Sequence, residues 1–452
     1  MKFIKRFLTR GKTRDRVFVL GLDGVPHSLV AGPRGRRLMP NLAALFDTGV
    51  LGRMPSTLPA VSTVAWATYA TGTNPGKHGV FGFVDRVPNP FTTVVPTARD
   101  LKTPTLWEIL SRQGKRVGVM NVPLTYPPKQ ISGFMIGGFL SPDVASAVYP
   151  PELAPRLIEL DYRLDVDVTL AGSDMQAFVA DVHETLARRF NTAFQLMETE
   201  SWDFFQLHVM ATDRINHFFW GAWENKIESA VAVFEDFYRQ LDAYIGELVQ
   251  SLPEGTNLVV LSEHGSARGR GRVFLNHWLE ENGYLIFAGG RRELKNLHPK
   301  SRAYSLVPGR IYLNLEGREE RGAVPQGRPY EELREELIHR LGALTHPENG
   351  EPLVKRVHRR EDLYEGPHLN RAPDLILEPA IGYDLKANLD AKELLGPPDL
   401  SGVHTHDDAF LFLPEAAGGL AEGSFNLVDV APTIIELAEV GMPLNLDGRS
   451  LL

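Results

Sequence analysis

Asp23, Asp213, His217, Glu263, His264 and His404 are side chains whose types and placement suit divalent-cation chemistry. Asp23 closes the apolar run RVFVLGLDG. Asp213 closes WDFFQLHVMATD, and His217 follows one helical turn later. Glu263 and His264 end NLVVLS as an adjacent pair, and His404, in SGVHTHDD, lies just before the last apolar run, with His406 as a second candidate beside it. Three runs thus deliver a carboxylate at their C-terminal ends, two of them with a histidine. Carboxylate and imidazole donors suit Zn, Mn or Mg. Two such ions about 3.5–4 Å apart clamp the attacking and leaving oxygens of a phosphoryl displacement. There are no cysteines, which excludes disulfides, thiolate metal sites and a cysteine nucleophile. A hydroxyl nucleophile has a candidate stretch in LPAVSTVAWATYATGTNPGKHG, residues 58–79. That stretch alone also reads as a plain helix with a loop behind it.

The elements that must carry these groups follow from the apolar pattern. RVFVLGLDG (16–24), RVGVMNVP (116–123), WDFFQLHVMATD (202–213), TNLVVLSEHG (256–265) and DDAFLFLP (407–414) are short and nearly continuous in apolar residues. Strands buried on both faces of a parallel sheet read this way. Amphipathic helical stretches such as SAVAVFEDFYRQLDAYIGELVQSL (229–252) lie between them. The alternation predicts an open α/β sheet with helices on both faces, and ligands of such sheets bind at the carboxyl ends of the strands. Residues 266–400 are richer in Gly, Pro and charge, with a helical patch at 330–344. A segment this long is expected to carry structure of its own, as a small cap over the site. Its arginines, Arg268, Arg270, Arg272, Arg302 and Arg310, suit either an anionic ligand or a solvated surface.

The 452-residue chain has an ordinary globular composition, 43% apolar and 23% charged, and a net charge of −8. Nothing in that balance points to nucleic acid. No apolar run approaches a membrane span. Residues 1–16 form a basic tail without the apolar region of a signal peptide. The expected compartment is the cytoplasm. The tail reads as a solvated end or, with Phe3, Ile4, Phe7 and Leu8 opposite its charges, as a weak contact with a membrane surface.

The ordered motifs FVLGLDGV, STVAWATYATGTNPGKHGVFGF, MNVPLTYPP, ATDRINHFFW, LSEHG, GRIYLNLEGREERG and FNLVDVAPTIIELAEVGMPLNLDGRSLL span nearly the whole chain. Together they resemble the type I phosphodiesterase/nucleotide pyrophosphatase family of the alkaline phosphatase superfamily, and more narrowly its microbial branch of phosphohydrolases or phosphomutases. The resemblance implies a three-layer α/β/α fold over residues 17–452, with a mostly parallel central sheet and the cap inserted at about 266–400. It also implies a nucleophile nine residues before the Thr of a Thr-Gly pair. With Thr71–Gly72 as that pair, the position is Ser62, and Thr63 is the neighbouring alternative. Asp213, His217 and His404 would hold one ion; Asp23, Glu263 and His264 would hold the other, with the Ser62 oxygen between them. Zinc is the first choice of metal. Asn121 and Arg268 are candidates for holding phosphate oxygens. Two departures stand out. The family pattern has Asp-His-Gly where this chain has Glu263-His264-Gly265, and Phe83 stands where animal-type members carry a phosphate-binding Asn. The expected activity is hydrolysis of a small phosphorylated substrate through a phosphoseryl intermediate. A mutase or transferase using that intermediate, or a silent binding protein, are the competing readings.

Overall fold

The computed structural model describes residues 16–289, 291–414 and 425–452. Apart from Arg16, whose guanidinium lies 5.3 Å from the Trp202 ring centre, the basic tail lies outside the described residues.

An eight-stranded sheet forms the centre. Its order is 49–54, 409–414, 257–261, 17–22, 204–209, 117–120, 133–136, 148–149. The five strands from 257–261 to 133–136 run parallel. The 409–414 strand is antiparallel to both its neighbours, and 148–149 is antiparallel to 133–136. The first strand, Val17–Leu22, is buried along its length and alternates its side chains between two cores. Phe18, Leu20 and Leu22 face one core, with helices Met175–Thr199, Ala211–Glu224 and Glu228–Ser251. Val17 and Val19 face the other, with helices Ser62–Thr71, Leu106–Arg112 and Val430–Leu437. Period-two alternation on a strand therefore produces the three layers.

Two expected elements are corrected. The 204–209 strand stops at Val209, so Asp213 sits in the first turn of the following helix, not at a strand end. The 409–414 strand joins the sheet antiparallel to both neighbours; a continuous apolar run reads alike in either direction, so its sense left no mark in the pattern.

Between residues 271 and 396 the chain builds a four-stranded sheet (303–306, 310–313, 375–379, 354–359) and a three-stranded one (383–386, 271–274, 395–396). These share a core of their own, including Leu279, Tyr304, Leu337 and Leu377. The departing strand Gly265–Arg268 and the returning strand Gly402–Thr405 pair antiparallel, with Ser266 opposite His404. The fully buried Arg310 ties this segment to the main body: its Nη1 donates to Asp85 Oδ1 at 2.7 Å.

Candidate active site

Ser62 is the first residue of a ten-residue helix that is buried throughout. Its Oγ lies 3.2 Å from Asp23 Oδ1 and 3.2 Å from His264 Nε2. The buried Thr63 Oγ1 has no hydrogen-bond partner among the described residues.

Asp23 follows the first strand, and Gly24 after it adopts φ 68°, a conformation that suits glycine. A Cβ there would meet His264 Cε1 at 3.1 Å and Asp213 Oδ1 at 3.2 Å. The Asp23 Oδ2 is taken by Trp66 Nε1 (3.0 Å) and His208 Nε2 (2.9 Å), which turns Oδ1 toward Ser62. His264 Nε2 lies 3.6 Å from Asp23 Oδ1 and 3.2 Å from Glu263 Oε1. Asp213 and His217, four apart on one helix face, meet at 3.3 Å. His404 Nε2 reaches both, at 3.1 Å from His217 Nε2 and 3.4 Å from Asp213 Oδ1. The His264 and His404 rings stack with centres 3.7 Å apart, joining the two groups.

The three histidines share one device. His217, His264 and His404 each place Nδ1 at 2.9–3.0 Å from a backbone carbonyl, of Gly402, Gly265 and Ala60. A carbonyl accepts only, so Nδ1 carries the proton, and in the neutral ring Nε2 presents a lone pair inward. Burial and the neighbouring His404 lower His264 to about 4, so its ring is neutral at pH 7. Burial also lowers His217. Burial opposes protonation of His404, but Asp213 outweighs it and raises that group. Burial, then the nearby Asp23 charge, pushes Glu263 well up. For Asp213, burial acts upward but His217, His404 and Arg214 hold it below the usual range.

These residues fit divalent cations. Three buried carboxylates converge with three inward Nε2 atoms, and among the described residues Asp213 Oδ1 and Glu263 Oε1 lack hydrogen-bond donors. Lone pairs facing lone pairs at this range repel unless a cation or a proton lies among them. Two trios have all their ligand atoms within 4.8 Å: Asp213, His264 and His404, and Asp23, Glu263 and His264. His264 thus stands within reach of both sets, while His217 closes the Asp213–His404 side.

The other expected residues are placed differently. The Asn121 amide donates to Leu164 O at 2.8 Å, and Arg268 donates to the Asn225 side chain at 2.9 Å. Arg270 pairs with Glu351, Arg272 with Pro397 O, and Arg310 with Asp85, while Arg302 lies over Tyr284. These arginines are engaged by the chain's own groups. His406 stands 4.0 Å from Glu378. Phe83 stacks on Phe139, and Arg214 lies over that second ring while bridging Asp165 and Asp213. The orienting role of His208 was not anticipated. One signal lay in FFQLHV: Gln206 and His208, two apart, share a face of an otherwise apolar strand. Both meet the Ser62 helix, Gln206 through Tyr69 and His208 edge-on to Trp66.

A family model described as type I phosphodiesterase/nucleotide pyrophosphatase matches residues 17–407. The chain belongs to that family. It is accordingly an enzyme of the phosphoesterase kind within the alkaline phosphatase superfamily. Among solved structures, phosphonoacetate hydrolase from Sinorhizobium meliloti 1021, in complex with phosphonoacetate, superposes with a TM-score of 0.64 at 17% identity, covering 94% of this chain and 95% of that one. An inactive variant of murine ectonucleotide pyrophosphatase/phosphodiesterase 5, in complex with AMP, gives 0.58 at 13% identity, covering 96% and 97%. The human ectonucleotide pyrophosphatase/phosphodiesterase 5 gives 0.57 at 15% identity, covering 95% and 96%. At these identities the likeness establishes the alkaline-phosphatase-like fold. No curated protein matches the chain.

Proposed function

We propose that this family member is a metal-dependent phosphoric ester hydrolase with Ser62 as nucleophile. The observation that carries the reading is the Ser62 Oγ, 3.2 Å from groups of two different strand ends, at the edge of a convergent set of N and O donors. Asp213, His217 and His404 would hold one divalent cation, and Asp23, Glu263 and His264 the other; zinc suits this donor set first, Mn or Mg next. When bound, the cations supply Lewis acidity, lowering the pKa of a hydroxyl and offsetting charge on a departing oxygen.

The chain's own groups do the rest. Asp23, held by Trp66 and His208, fixes the Ser62 hydroxyl in place. As the Oγ–phosphorus bond forms, the bond from phosphorus to the ester oxygen breaks, and that oxygen leaves as an alcohol with the proton that Ser62 gives up. Ser62 opens its helix, so the positive end of the helix dipole faces the phosphoryl oxygens. Water then attacks the phosphoseryl group, the Oγ–phosphorus bond breaks, and the serine recovers a proton. The sum is ester plus water giving alcohol plus phosphate.

The test compares bis-p-nitrophenyl phosphate with p-nitrophenyl phosphate, on protein stripped of metal and then loaded with Zn or Mn. Turnover with metal is expected, with Ser62→Ala slower by about a thousandfold or more. Phosphate trapped on Ser62 after acid quench is the direct readout. Metal binding without cleavage of either ester shifts the reading to phosphoryl transfer onto another hydroxyl. Absence of stoichiometric metal binding overturns it.

A further inference from the structure

A cavity of about 330 Å³ lies between the cap and the candidate site. His217 and His404 are part of its wall, whereas the wholly buried Asp23, Glu263 and His264 are not. It therefore opens on the Asp213–His217–His404 side. Most of its remaining wall is apolar, including Val61, Phe83, Val307, Ala380, Leu385 and Val403. Its charged residues are already matched among themselves. Lys355 Nζ lies 2.7 Å from Glu378 and 3.1 Å from Asp407, and Lys386 lies 2.5 Å from Asp384. Two lysines against three carboxylates leave the wall with no surplus positive charge.

We infer that this cavity takes an uncharged, apolar ester group, an alkyl or aryl alcohol moiety, as the leaving group of the substrate. The inference rests on the hydrolase reading and on the cavity's opening beside His217 and His404, the side on which we place the departing oxygen. Among the described residues an anionic moiety finds no unpaired lysine or arginine there: each lysine of the wall already has a carboxylate, and the arginines of the inserted segment are engaged elsewhere. An apolar moiety gains by leaving water. The volume sits at the small end of ligand pockets, about 300–1,000 Å³, so the moiety is compact.

The experiment follows alcohol release from methyl, butyl, hexyl and 4-carboxybutyl phosphate esters on the metal-loaded full chain. In the expected result kcat/KM rises roughly two- to fourfold per methylene until the cavity is filled, and the carboxybutyl ester gains nothing. Ala380→Asp lowers the hexyl-to-methyl ratio. So does Ile381→Ser, at an exposed lip position where folding is not at stake. A flat series, or a faster carboxybutyl ester, overturns the inference and leaves the hydrolase reading standing. If no ester is cleaved at all, the hydrolase reading fails, and calorimetry decides the cavity. Hexanol binding about tenfold tighter than triethylene glycol supports an apolar occupant, and equal binding overturns it.

Discussion

Asp23 shows how much a single carboxylate depends on its neighbours. One of its oxygens is held by Trp66 and His208, and only the other faces Ser62. Partners of this kind set ligand geometry at a cost, when removed, of about 10- to 100-fold in metal affinity. Trp66→Phe keeps most of the volume and removes the N–H. Metal titration should show weaker binding by that factor, with circular dichroism unchanged; unchanged affinity would mean that His208 alone orients the carboxylate. Glu263 invites a second test. Burial and Asp23 disfavour its charge, so its presence among the acids is explained best by a cation. Glu263→Gln is expected to halve the metal stoichiometry measured by mass spectrometry under native conditions. Asp23, Glu263 and His264 were legible as candidates only jointly, because each alone reads as a turn and it is their coincidence at the ends of continuous apolar strands that points to one site. His208 was not, because a histidine inside such a strand reads as core until its partner is known.

The helices and turns around Ser62 carry their own consequences. Val80 N donates to His78 Nδ1 at 3.2 Å, so His78 holds its proton on Nε2 and donates to Thr68 on the Ser62 helix. Burial lowers His78 to about 3. The unfolded chain takes up this proton below about 6.5 and the folded one only near 3, so stability should be lost as pH falls through that window, approaching about 1.4 kcal/mol per unit well below 6.5. Urea unfolding of wild type and His78→Gln at pH 7, 6 and 5 checks this. The stability difference in favour of wild type should shrink as pH falls, by about half that slope from pH 7 to 6 and nearly all of it from 6 to 5, and a difference independent of pH would show that His78 does not stay neutral. Arg310 links the inserted segment to the body through Asp85 and the carbonyl of Val84. Removing one partner of a buried pair costs about 3–5 kcal/mol. Asp85→Asn should lower the denaturation midpoint accordingly. Element boundaries were the less legible part. The apolar run of Phe204–Val209 continues through Met210 and Ala211, so the change from strand to helix before Asp213 left no mark in the periodicity.

Across the whole molecule, the site joins groups from residue 23 to residue 404, and its cavity is walled in part by a segment with a separate core. A ligand that binds only the folded arrangement stabilises it, by about 2.7 kcal/mol at a hundred times its Kd. Chelation should therefore lower the melting temperature of the full chain, and re-addition of zinc should restore it. A melting curve indifferent to both would argue against cation binding. The amino-acid sequence by itself determined the α/β class, the donor types and their placement after buried runs, because burial on both faces of a sheet demands continuous apolar strands with polar ends. It left undetermined which donors share a ligand atom's reach, the antiparallel return of residues 409–414, the engagement of the cap arginines by internal partners and the apolar wall of the cavity. Those depend on contacts between residues tens to hundreds of positions apart, and only the packing of the central sheet, its helices and the inserted segment brings them within a few ångströms.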